Sequence, residues 1–157
     1  MVVRNECQAL CIAEEMERRA IRVYERALMI TSDPQVQEAI RDILQDEKQH
    51  LARFSEMRAC HQVDAAEEKL LIASMAAEVL FTGGVMEMKR EHALTTLRGL
   101  YQYAADSEAG AVRTYADFAR KCSDPSVHDA FMSIVREESG HLAALRERID
   151  AMAQDAE

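Results

Sequence analysis

The amino-acid sequence predicts an all-α protein: a four-helix bundle of two repeated helix hairpins joined by a long crossover, forming one domain over residues 1–157. Three observations lead there. Breakers are scarce, with five Gly and two Pro, while 48% apolar residues are enough for one sizeable core. Apolar positions recur every three or four residues, and strand-type alternation is absent. The chain also aligns with itself at an offset of 91 residues, Glu17 to Met57 on Glu108 to Arg148; 15 of those 41 positions are identical. Composition alone would give roughly three.

Each element has its own signals. Asn5 with Gln8 forms a capping box for a first helix over 5–31, and Ser-Asp-Pro at 32–34 ends it and offers an Asp cap and a Pro at the first position of a second, 34–61. Ser-Asp-Pro recurs at 123–125, between a third helix, 95–122, opened by Thr95 or Thr96, and a fourth, 125–152. The hairpins therefore cover 5–61 and 95–152, with a crossover over 62–94. Within it Asp64 and Glu67 signal another cap, followed by an apolar stripe of Leu70, Leu71, Met75, Val79 and Leu80 that stops near Gly83-Gly84. A short extra helix is expected there.

Charge and cysteine content narrow the function. The net charge of -9 opposes attraction to nucleic acid or anionic lipid. The longest apolar stretch, Leu70 to Phe81, is interrupted by Glu78 and is shorter than the roughly 20 residues of a membrane span. Met1 to Met16 carries no secretory pattern, so a soluble cytoplasmic protein is expected. Cys7, Cys11, Cys60 and Cys122 lack CxxC spacing and read as reduced, mostly buried thiols; Cys7 and Cys11, one helical turn apart, leave a redox role open.

Polar residues interrupt the apolar seams at matching places. Glu17 falls between Ala13 and Ile21 on the first helix, and Glu47 and His50 fall between Ile43 and Phe54 on the second. Glu108 falls between Ala104 and Ala111, and Glu138 and His141 between Ile134 and Leu145. Four carboxylates and two imidazoles thus point into one core, where burial demands protonation or cations. Two divalent cations would balance four carboxylates, with neutral imidazoles completing the shells. Heights agree: Glu17 lies 16 residues before Asp33, and Glu47 and His50 lie 14 and 17 after it. At ~1.5 Å per residue, all three are about 21–26 Å from the turn, and the second hairpin repeats these distances. Each Glu-x-x-His subtends about 60° and can hold one ion from one helix face, the arrangement of dinuclear carboxylate sites.

Tyr24 and Tyr115 follow Glu17 and Glu108 by seven residues, on nearly the same face. They fit either hydrogen-bond donors to a ligand carboxylate or ordinary core aromatics. Asp46 and Glu137 point off the seam by about 100° and read as surface or supporting acids. His61, His92 and His128 have no repeat partners and read as ordinary polar residues.

Through Glu-x6-Tyr at 17–24 and 108–115 and Glu-x-x-His at 47–50 and 138–141, the sequence resembles the rubrerythrin family of the ferritin-like superfamily over nearly its whole length. The resemblance implies two Fe ions, with Mn or Zn as substitutes. Glu47 and Glu138 would bridge them, Glu17 and Glu108 would be terminal ligands, and His50 and His141 would bind one ion each. Tyr24 and Tyr115 would steady the carboxylates or supply a proton. It implies reduction of hydrogen peroxide, or oxidation of Fe(II) by oxygen or peroxide, with non-catalytic iron storage as the alternative; a homodimer, with helix exchange in some relatives, is also implied. Two departures stand out. Ala111 and Val112 occupy the place of the additional glutamate of rubrerythrins proper, and the paired CxxC motifs of a rubredoxin domain are missing. Electrons would then come from an external donor such as a rubredoxin or a reductase.

Overall fold

The computed structural model describes residues 3–83 and 93–154. Helix α1 spans Glu6–Ile30, its Asn5 cap accepting from the Gln8 backbone N–H, and α2 spans Pro34–Arg58, where Asp33 Oδ1 accepts from Gln35 N at 2.9 Å. The crossover holds α3, Ala65–Gly83, opened by Asp64 Oδ1, which accepts from Ala66 N and Glu67 N. Helix α4, Leu97–Lys121, starts at the Thr96 cap rather than at Thr95, and α5 spans Pro125–Gln154. No strand occurs among the described residues, and no helix there is long and apolar enough to cross a membrane.

Two expectations need correction. Helix α3 itself runs from the Asp64 cap to Gly83 as expected, and at 19 residues it is the shortest of the five described helices. Its stripe is narrower than the sequence suggested: Leu71 and Met75 are buried, whereas Leu70 is 72% exposed. The side chains of Val79 and Leu80 lie outside the described set, as do Gly84 and His92. Helix α2 ends at Arg58, and residues 59–61 tighten into a turn, with His61 N donating to Arg58 O. His61 is held there by Asp124, 3.0 Å from its Nε2.

That contact, with Ser123 Oγ donating to Glu6 Oε1 at 2.8 Å, sets the turn of the second hairpin against the open end of the first. The hairpins therefore lie head to tail and repeat each other about a centre at mid-bundle. Two apolar blocks flank that centre. One gathers Leu10, Phe54, Tyr115 and Phe131; the other gathers Ile21, Tyr24, Ile40 and Leu100. Each fully buried side chain of this kind contributes about 1.5–3 kcal/mol.

Away from the centre, Glu14 is an ion that sequence periodicity had left among the solvated charges. It is only 5% exposed. Ser55 Oγ and Arg58 Nη1 each donate to it at 2.5 Å, Arg18 Nη2 lies 2.8 Å away, and Arg58 reaches on to Glu68 at 2.7 Å. Burial would raise the Glu14 pKa, but Ser55, Arg58 and Arg18 outweigh it and hold the group below its ordinary value. The cluster ties α3 to α1 and α2, covering one flank of the first hairpin.

Candidate metal centre

The two head-to-tail hairpins bring all six predicted donors to mid-bundle. Ligand atoms of Glu17, Glu47, His50 and Glu138 lie within 4.8 Å of one another, and so do those of Glu108, Glu138 and His141. Glu138 stands in both groups, while Glu47 stands in the first alone. The two imidazoles stack at 6.3 Å between centroids, with Nδ1 of His50 3.0 Å from Glu138 Oε1 and Nδ1 of His141 3.2 Å from Glu138 Oε2.

The outer ring nitrogens face the acids that the sequence had placed off the seam. His50 Nε2 is 3.5 Å from Glu137, and His141 Nε2 is 3.7 Å from Asp46. Each acid thus serves the imidazole of the opposite hairpin. The signal was present as an acid in both copies, one place before Glu47 and Glu138, but angle alone pointed it away; the crossing of α2 and α5 brings it back.

The tyrosines divide. Tyr115 Oη donates to Glu17 Oε1 at 2.5 Å, reaching the carboxylate of the other hairpin. Tyr24, fully buried, packs edge-on against Tyr103 at 5.9 Å, and its hydroxyl finds no hydrogen-bond partner among the described residues. Its role as donor to a ligand carboxylate is not realised in this geometry.

Electrostatics show what the centre does without an ion. Burial pushes Glu17 up to about 7, against hydrogen bonds with Glu47 and Tyr115, and burial with Glu138 beside it pushes Glu108 up to about 11. Burial and the neighbouring Glu17 carboxyl also raise Glu47 well above its ordinary value. Burial acts against His50, yet the carboxylates of Glu138, Glu47 and Glu137 overcome it and raise its pKa; burial acts against ionised Glu138 too, and His50 and Glu108 overcome it and lower its pKa. Protons and one His–Glu pair therefore do the neutralising that cations would do.

The donor set fits metal coordination. Nδ1 of His50 is buried without an aligned hydrogen bond, as a nitrogen suited to coordination would be. Oxygen-rich donors with one imidazole per position suit Fe or Mn, and also accept Zn.

The family model for the ferritin-like domain matches residues 5–151. The chain belongs to the ferritin-like domain family. No curated protein and no solved structure matches it.

In this ferritin-like chain the two halves of the centre differ in access. A cleft of about 140 Å³ opens beside the exposed His141 and reaches Glu108 and Glu138 and, at its inner end, Glu47 and His50; Asp46, Tyr101, Ala144 and Leu145 wall it, with Arg148 over the Tyr101 ring at 5.4 Å. Of these walls, Ala144 and Leu145 stand where the first copy has Arg53 and Phe54, so repeat identity did not point to them. The cysteines, His61 and His128 stand apart. All four thiols are free; burial raises the pKa of Cys7, Cys11 and Cys122, the last to about 11, which disfavours thiolate chemistry there. His128 is exposed beside Asp129, and His61 serves the hairpin contact.

Proposed function

We propose that this ferritin-like protein is a non-haem diiron oxidoreductase of rubrerythrin-like type, reducing hydrogen peroxide or oxygen with electrons from Fe(II) or an external donor. The observation that carries this reading is Glu138, a buried carboxylate that belongs to two adjoining donor groups at once. Two irons held there would supply two electrons to one oxidant together. The chain's own residues supply the rest. Glu138 spans the two positions; Glu17 and Glu47 with His50 close the first, and Glu108 with His141 forms the second. Glu137 and Asp46 face the outer nitrogens of the two imidazoles and orient Nδ1 of each toward the carboxylates. Tyr115 fixes Glu17 and holds a proton at its hydroxyl beside the centre. Phe54 and Phe131 keep water from the first position.

The 157 residues hold no paired CxxC motif, so in this reading electrons reach the centre from a group outside them. Ala111 and Val112 leave peroxide and oxygen as competing oxidants. Anaerobic loading with Fe(II), followed by stopped-flow absorbance after mixing with either oxidant, tests the reading. Two irons per chain and reoxidation at one oxidant's rate well above the other's are expected. Many irons per chain, or a large cage on size-exclusion chromatography, would favour storage; no saturable iron binding would overturn both.

A further inference from the structure

The internal repeat allows each wall of the cleft to be compared with its counterpart. Beside His50, Arg53 Nη1 donates to both oxygens of Glu137 at 2.9 Å, and Ser133 Oγ donates to Glu137 Oε1 at 3.1 Å. That bridge lies over the imidazole, whose side chain is 2% exposed. Beneath it Phe54, Phe131 and Tyr115 fill the block, with ring centroids 5.2–5.8 Å apart. Beside His141 the residue matching Arg53 is Ala144, the residue matching Phe54 is Leu145, and Asp42 stands where Ser133 would be. Among the described residues no guanidinium pairs with Asp46 there, and the His141 side chain is 38% exposed.

We infer that the two metal positions exchange with solvent at unequal rates and that Ala144 sets the difference. The position built by Glu108, Glu138 and His141 is the port, admitting divalent ions and small neutral or singly charged ligands. On the His50 side Arg53 and Glu137 cover the imidazole, so that position meets solvent only through the inner end of the same cleft, past Glu47 and His50. The cleft, at about 140 Å³, is several times the ~30 Å³ share of one water, so it accommodates a ligand of a few heavy atoms. Neither Ala144 nor Arg53 belongs to the donor set. The inference rests on the dinuclear reading above and adds which half of the centre communicates with solvent.

The test uses the full chain loaded anaerobically with Co(II), challenged with excess EDTA and followed by visible absorbance. Two release phases of equal amplitude are expected, separated at least tenfold in rate. A144R, which gives the open side the residue of the closed one, should slow the fast phase at least tenfold while two ions remain bound. R53A should accelerate the slow phase. Azide should perturb the cobalt spectrum of the wild type and lose that effect in A144R. A single release phase, or both phases unchanged in A144R, would overturn the inference. If A144R does not fold, R53A decides: an unchanged slow phase overturns it. Fewer than two ions bound at saturation would overturn the dinuclear reading itself and this inference with it.

Discussion

Phe54 and Leu145 occupy matching places in the two hairpins, as do Arg53 and Ala144, yet the imidazole beside the first member of each pair is 2% exposed and the one beside the second is 38% exposed. Each repeat contributes two glutamates and one histidine at the same spacing, although Glu138 joins both donor groups and gives the first an extra carboxylate. Access differs because side chains one turn past each Glu-x-x-His differ in volume and charge. Identity between repeats therefore marks the chemistry, and divergence between them marks the entrance.

The sharpest way to break the comparison is to remove the residue that both halves share. E138Q should reduce Co(II) bound at saturation from two ions per chain to at most one and weaken the remaining ion at least tenfold, measured by equilibrium dialysis with elemental analysis. E108Q should spare the His50 side, leaving the slowly exchanging ion. Equal losses in both variants would remove the distinction between the halves.

Next in size is the flank that only one hairpin possesses. The Glu14–Arg58–Glu68 cluster has no counterpart on the other side, where Ala105 and Ile149 stand at the places of Glu14 and Arg58. R58M leaves Glu14 buried and under-compensated, so it should lower unfolding free energy by about 3 kcal/mol in urea titration. A loss below about 0.5 kcal/mol would make the cluster a mere surface pair.

The proton inventory gives a pH dependence with a definite sign. Glu17, Glu47 and Glu108 have folded-state pKa values above their ordinary value, to about 7 for Glu17 and about 11 for Glu108. Without metal, the folded state then holds more protons than the unfolded chain from about pH 4.5 upward, so these groups lower stability progressively as pH rises through that window. His50, raised as well, acts in the same direction. The metal-free protein should melt lower at pH 8 than at pH 5.5. Bound Co(II) should stabilise more at pH 8, because coordination must release those protons. Equal melting at both pH values in the presence and absence of metal would contradict this.

The smallest effect separates the tyrosines. Y115F removes a buried bond to Glu17 and should cost about 1–3 kcal/mol, whereas Y24F removes a hydroxyl without a partner and should be near neutral. Thermal melts of both variants check the order.

Much of this was legible in the sequence because the repeat reports on core positions twice. The four bundle helices, their Asp-Pro junctions and the six convergent donors all follow from spacing. The span of α3 also followed, from its cap and glycine stop, but its buried face did not, because its apolar residues are too many for periodicity to select among them; exposed Leu70 is the sign. Glu14 was readable in principle, standing four places after Leu10 and three before Glu17, but an acid beside Glu15 looks like solvation until Arg58 is placed in space. The cleft was hidden for a different reason: small residues such as Ala144 announce space only when the neighbouring helix is known.

Anomalous diffraction from crystals soaked with Fe(II) or Co(II) tests the central claim most directly. Two peaks should flank the Glu138 carboxylate, one beside His50 and one beside His141. An absence of peaks there at full soaking, or ions held only by surface acids such as Asp42, would contradict it.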